Sequence, residues 1–228
     1  MMRLLVVTAA ASVLYCTVLL AAPVDKHVRG TIVSVSPDTL IVRTESGSNV
    51  SVSLNGNTHY LQVTPSSLDK IEPGSYVGTA TKQLGATQVA LEVMIFPAAM
   101  QGLNAGHHDY DRIQDTTLSG GATTASKMTN GSVSVVTTAQ PTMVNTKMTN
   151  GNVSTSSSGN GVMNMKLTYN GGEQNIVVPP TAPIVNLVPG SIADVPKGAY
   201  VFVDAAEDGS SLAAGLVAAG VGGLKPPF

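Results

Sequence analysis

The residues best suited to chemistry lie together in Gly106-His107-His108-Asp109-Tyr110-Asp111. Two of the chain's four histidines fall there beside two aspartates, after a glycine-rich approach. Neutral imidazoles and carboxylates are ligands for divalent transition metals such as zinc, copper, nickel or manganese. Adjacent histidines on a rigid strand diverge, so this spacing suits one ion only in a loop. There His107 can chelate with Asp109 or Asp111. The candidate metal ligands are therefore His107, His108, Asp109 and Asp111. The competing reading is a solvated connection in which Asp111 or a histidine bonds backbone groups. Proton transfer lacks a nucleophile nearby in the sequence.

The remaining reactive residue types read as structural. His59 follows a hairpin turn and reads as a surface residue at a strand end. His27 precedes the first strand and has no partner evident in the sequence. Asp69 and Asp194 recur at similar places and read as caps or turn residues. Tyr76 and Tyr200 also correspond, and their default role is packing. The nine methionines are scattered and fill gaps in a core. Asn49, Asn130 and Asn152 fit the Asn-x-Ser acceptor pattern for glycosylation. The single cysteine, Cys16, lies in an N-terminal apolar run, so a processed chain has no disulfide or thiolate site. No Gly-x-Ser-x-Gly, phosphate-binding loop or His-Glu-x-x-His motif is present, which lowers the expectation of an enzyme.

The elements that must carry these residues follow from composition and pattern. Hydrophobic residues make up 43% of 228, enough for a core, while aromatics are 4% and tryptophan is absent. Charged residues are only 11%, and Ser, Thr, Asn and Gly fill the surface, which suits exposed sheet better than surface helix. The net charge of −2 has no concentrated basic face, so nucleic acid is not an expected partner.

Arg3 precedes an apolar stretch from Leu4 to Ala22, the pattern of a secretory signal. Leu20 and Pro23 flank the small pair Ala21-Ala22 poorly for cleavage. An uncleaved inner-membrane anchor over residues 4–22 is the alternative, and a lipid-modified Cys16 a third reading. Residues 1–22 are thus expected to be a signal peptide or anchor, with the remainder periplasmic or secreted.

From Gly30 the chain alternates apolar and polar residues between turn signals, as in Val50, Val52 and Leu54 against Asn49, Ser51 and Ser53. Ser66–Ile71 reads as a short helical turn with a serine cap. Ser75–Thr81 and Thr87–Phe96 read as two further strands. The same order recurs later: a strand beginning at Gly151, then Val162–Tyr169, the Asn170-Gly171 turn, Glu173–Val178, a short turn at Ser191–Val195, Ala199–Val203 and Leu212–Ala219. The expected fold class is all-β. It comprises two tandem OB-like five-stranded barrels, with an SH3-like barrel or open sandwich as runner-up. The first spans 28–97 and the second 151–220, with a tail at 221–228. Residues 98–150 form a connection containing the Gly-His-His-Asp-Tyr-Asp loop. Ser119 to Asn160 is about two thirds Ser, Thr, Asn and Gly and carries a near-duplicate, Lys127–Gly131 and Lys147–Gly151. An added strand is expected near residues 131–137.

Phe96-Pro97, Met100, Gly102, Gly106-His107, Tyr110-Asp111 and Met128-Thr129-Asn130 resemble an exported bacterial family. Gly172-Glu173-Gln174, Ile176-Val177-Val178-Pro179-Pro180 and Pro183 resemble it too. That family is catalogued as domain of unknown function 5666, and the likeness covers most of the chain after residue 28. Gln101 and Tyr110 stand where the family usually shows Arg and Trp. The resemblance implies a signal sequence, small β-barrel units and a bacterial periplasmic or surface location. It implies no activity.

The expected function is a non-enzymatic binding or scaffold module of the cell envelope, with an envelope protein or small ligand as partner. The alternative is a periplasmic metal-binding protein using His107, His108, Asp109 and Asp111. A hydrolase or isomerase with an unrecognised site is the third reading.

Overall fold

A computed structural model describes residues 24–139 and 161–228. The apolar N-terminal run, Cys16, Met143, Met148, Asn152 and the strand expected to begin at Gly151 lie outside the described residues. Among the described residues the fold is all-β, about 60% strand, with no helix of seven residues or more. Among the described residues, no helix is long and apolar enough to cross a membrane.

Among the described residues fourteen strands form one hydrogen-bonded sheet. The first meander is β1 (Val24–Val35), β2 (Thr39–Thr44) and β3 (Asn49–Ser53). Its alternation becomes burial directly: Leu40, Val42 and Val52 are buried, while Asn49, Ser51 and Ser53 are exposed. β4 (His59–Pro65), β5 (Tyr76–Leu84), β6 (Thr87–Ala90) and β7 (Val93–Ile95) follow, then β8 (Gly106–Gln114) and β9 (Thr123–Ala139). The second meander continues from β9 through β10 (Val162–Tyr169) and β11 (Gly172–Val178). β12 (Ile184–Pro189), β13 (Tyr200–Asp208) and β14 (Ser211–Gly220) complete the sheet.

The ladders close two five-strand circuits, and each circuit draws on both ends of the chain. β1, β2 and β3 are closed by the late hairpin β13–β14: Val28 pairs with Val203, and Ser53 with Ala213 in parallel. β9, β10 and β11 are closed by the early hairpin β5–β6: Thr79 pairs with Thr129, and Gln88 with Ile176 in parallel. β4 and β12 run antiparallel between the circuits, with Val63 opposite Leu187. The strands of 28–97 and those of 161–220 are therefore interleaved in space.

Three apolar clusters follow from this arrangement. One fills the first circuit with Ile32, Leu40, Val42, Val52, Val203 and Val217. One fills the second with Val77, Val93, Val133, Met165, Leu167 and Ile176. The third lies at the seam, where Leu61, Val63, Leu91, Met94, Phe202 and Phe228 meet. Each such buried side chain contributes about 1.5–3 kcal/mol relative to exposure. Met94, Met128, Met163 and Met165 are all buried, as gap-filling requires.

Two glycines show why these strands can curve. A Cβ on Gly30 would lie 2.0 Å from the Arg43 carbonyl oxygen, and one on Gly131 would lie 2.7 Å from that of Thr168. Each glycine pairs with the matching hairpin, Gly30 with Val201 and Gly131 with Val77. The strand near 131–137 thus opens the second meander; it is the later half of β9.

Several local expectations are corrected. The Gly106–Asp111 segment is strand β8, not a loop, because β9 pairs with β5 along one edge and with β8 along the other, both across Lys127–Asn130. β4 and β12 escape a pattern reading, since both lie between turn signals and carry Gln62 or Asn186 mid-strand. Thr87–Phe96 is broken at Leu91-Glu92 into β6 and β7, which pair with β11 and β12 respectively. The 3-10 turn at Leu68–Lys70 forms, but Ser67 makes no cap; its hydroxyl bonds the Asp69 carboxylate.

Candidate functional site

The alternation that buries Val28 points His27 and Arg29 to the other face of β1, toward the seam. On β13 it does the same for Phe202 and Asp204, which alternate with Val201, Val203 and Ala205 of the first core. β8 reaches this seam through a β-bulge: Tyr110 pairs with Ser126 and Arg112 with Ala125, leaving Asp111 as the extra residue. Consecutive residues Tyr110 and Asp111 consequently both meet Arg29.

Arg29 is the hub. Its Nη1 lies 2.6 Å from Asp111 Oδ2, its Nε donates to the backbone oxygen of Phe228 at 2.8 Å, and its Nη2 donates to the Tyr110 hydroxyl at 3.3 Å. The guanidinium also stacks 5.1 Å from the centre of the Phe202 ring. His27 Nδ1 lies 2.8 Å from the same Asp111 oxygen, and its Nε2 is 3.9 Å from Asp204 Oδ1. Burial alone would raise the Asp111 carboxyl, but the bonds from His27 and Arg29 outweigh it and hold it below the usual range.

Beneath this network Glu92 is 1% exposed, and neither carboxylate oxygen has a hydrogen-bond partner among the described residues. Burial pushes it up to about 8, opposed by the nearby Arg29 charge. Burial, reinforced by Glu92, also raises Tyr110. Asp204 is raised by burial as well; His27 opposes this and Asp25 adds to it.

Two concavities open over the seam. The larger, about 750 Å³, is walled by Tyr60, Leu61, Met100, Leu103 and Leu216. The smaller, about 270 Å³, is lined by Asp25, His27, His108, Tyr110, Asn130 and Phe202. Asn104 and Asp204 belong to both. Asn104 has φ +48°, the only positive value at a non-glycine residue among those described. That backbone costs on the order of 1 kcal/mol and persists only when neighbours hold it. Tyr76 donates its hydroxyl proton to the Leu103 carbonyl at 2.7 Å, and Asn130 Nδ2 donates to that of Asn104 at 3.1 Å.

The residues predicted from the sequence are placed as follows. β8 sends His107 and His108 to opposite sides. His107 Nδ1 is 2.8 Å from the Thr129 hydroxyl. Burial lowers the His107 imidazole, and the Lys127 and His108 charges lower it further. His108 lines the smaller concavity, and Asp109 pairs with Lys127 at an exposed position. Asp111 joins His27 and Arg29 instead of His107. Among the described residues no group of three or more His, Cys, Asp or Glu could hold a metal ion. His59 begins β4 and is exposed, as expected, but it also borders the larger concavity. Asn130 is 6% exposed, which removes it as a glycosylation acceptor.

Sequence reasoning missed His27, Arg29, Glu92 and Asp204, whose partners are supplied by other strands far along the chain. One signal was available: Glu92 is an acid inside an apolar strand pattern, Val89-Ala90-Leu91-Glu92-Val93-Met94. The segment from Phe96 to Asp111 builds much of the wall of both concavities. No family model matches the chain, and neither does any curated protein or solved structure.

Proposed function

We propose that this chain is an exported, non-enzymatic module of a bacterial cell envelope that holds a small ligand in the cleft between its two halves. Export is supported by Arg3 and the apolar run from Leu4 to Ala22, the pattern of a secretory signal. The halves read as OB-like barrels derived from one duplicated unit. Each has a three-strand meander, a short helical turn and a closing hairpin, and each receives its hairpin from the other copy. Gly30 and Gly131, at matching places in the two circuits, support the duplication.

One observation carries the binding role: the two concavities meet at Asn104 and Asp204 over the seam. Clefts between packed units, apolar with a few placed polar groups, are the usual form of a ligand site. His27, Arg29 and Asp111 are engaged with one another and tie β1 to β8, a scaffolding role.

The test is a ligand-observed NMR screen of small fragments against the purified exported protein and a Leu216→Trp variant, which fills the larger concavity. Hits that the variant weakens at least tenfold support the cleft. Hits that survive unchanged, or no hits at all, overturn it. Recovery of the protein in the cytoplasm of a Gram-negative host, with residues 1–22 intact, overturns export.

A further inference from the structure

We propose that the seat of residues 224–228 is a peptide-recognition site, filled in this structure by the chain's own Leu224-Lys225-Pro226-Pro227-Phe228 and able to take the same segment presented in trans. The inference is independent of the ligand cleft and rests on how the segment is held. β14 ends at Gly220, and Gly222 and Gly223 follow at φ +64° and +83°. Glycine adopts such left-handed turns without strain, and here they form a hinge. Beyond the hinge the segment joins no ladder. Among the described residues its one backbone–backbone hydrogen bond runs from the Leu224 N–H to the Val221 carbonyl, inside the hinge. Pro226 and Pro227 have no N–H to pair.

The remaining ties are of a kind that a free peptide can make. Lys225 pairs with Glu45 in the turn between β2 and β3. Pro226 is buried, beside Gly30, Tyr200 and Val201. The Phe228 ring is 3% exposed and meets the Phe202 ring edge-on, with 5.0 Å between centres. Arg29 Nε donates to the Phe228 backbone oxygen at 2.8 Å. The seat thus offers an acid to the cation, a wall to the prolines, a ring to the ring and a donor to the carbonyl. Extended proline-rich segments dock in aromatic-lined grooves in this way, and proline orders them beforehand, so little entropy is lost. A concavity of about 180 Å³ remains beside Lys225 and Pro226, so the seat is wider than the segment. The short hinge holds the chain's own copy at an effective concentration on the order of millimolar, which keeps the seat self-occupied.

The probe is the peptide Leu-Lys-Pro-Pro-Phe, with Leu-Lys-Pro-Pro-Ala as its control, and both are tested on full-length protein. In Phe228→Ala the chain's own segment loses its ring anchor. Fluorescence anisotropy of labelled probe is expected to show binding at least tenfold tighter to this variant than to wild type, and at least tenfold tighter than the control peptide. A second protein carries 4-fluorophenylalanine at position 228, which leaves the ring in place. Excess probe is expected to move its fluorine NMR signal from the buried position to that of a free ring, and the control to leave it unmoved. If neither protein distinguishes probe from control, the segment is a fixed part of the core and the proposal falls. If Phe228→Ala does not fold, an unmoved fluorine signal is enough to overturn it.

Discussion

His27 Nδ1 lies 2.8 Å from Asp111 Oδ2, across 84 residues and between strands that share no ladder. β1 belongs to one circuit and β8 borders the other, so this contact is made by side chains alone. Asp111 holds two side chains at once, because Arg29 reaches the same oxygen at 2.6 Å. The seam is therefore held partly by charge, beside the apolar cluster of Leu91, Met94, Phe202 and Phe228.

Replacing Asp111 with alanine should weaken that seam. Hydrogen bonds to charged groups contribute about 1.5–3 kcal/mol when buried, and Asp111 is over a third exposed, so a loss of about 1–2 kcal/mol is expected. Its folded pKa is depressed, so this stability is present above the unfolded carboxylate value and is lost as pH falls through the folded one. Urea unfolding should show the full deficit at pH 7 and a progressively smaller one as pH falls below the ordinary carboxylate value. An equal deficit throughout would mean the side chain acts by packing.

Glu92 carries the opposite sign. Its folded pKa of about 8 exceeds the ordinary 4.5, so the folded state favours the protonated acid. Stability from this group is fully present below about pH 4.5 and declines as pH rises toward 8. A tenfold difference in proton affinity between the folded and unfolded chain corresponds to about 1.4 kcal/mol, which makes the decline several kcal/mol. Glu92→Gln should remove this slope and leave the variant more stable than wild type at pH 8. Parallel denaturation curves for the two proteins between pH 5 and 8 would contradict a buried, unpartnered carboxyl.

The all-β class was legible because alternation survives in every meander strand and because Asn170-Gly171 forms the turn expected of it, with Gly171 at φ +98°. The cleft was not legible. His27, Arg29, Glu92, Asp111 and Asp204 come from β1, the β6–β7 break, β8 and β13, and only the exchange of hairpins brings them together. The bulge at Asp111 is invisible to a period-two reading, which would turn Asp111 away from Tyr110. Of the duplicated Lys-Met-Thr-Asn-Gly, the copy at 127–131 lies in β9, which opens the second meander; the strand expected from Gly151 lies outside the described residues.

The paired glycines offer a sharper test of that register. Gly30→Ala and Gly131→Ala each place a methyl against a backbone carbonyl of a neighbouring strand, at 2.0 and 2.7 Å. Backbone cannot step aside as a flexible side chain can, so a loss of at least about 3 kcal/mol is expected for each. Gly56→Ala, with open space around it, is the control and should cost under about 1 kcal/mol. Thermal unfolding of the three variants decides the point; a tolerated Gly131→Ala would refute the placement of β9 against β10.

Exchange of the hairpins also predicts how the chain divides. Residues 24–97 contain β1, β2 and β3 but lack β13 and β14, which cover both free edges of that meander. Cutting there removes Val201, Val203, Ala205 and Val217 from the first core. At about 1.5–3 kcal/mol for each large side chain, the missing burial rivals the roughly 5–15 kcal/mol of net stability typical of a whole domain. The fragment 24–97 alone should therefore show no cooperative unfolding by circular dichroism, and the fragment 98–228 none either. Mixed together they should recover a two-state transition, because each supplies the other's closing strands. Independent folding of 24–97 would mean that its own hairpin can turn back onto its own meander.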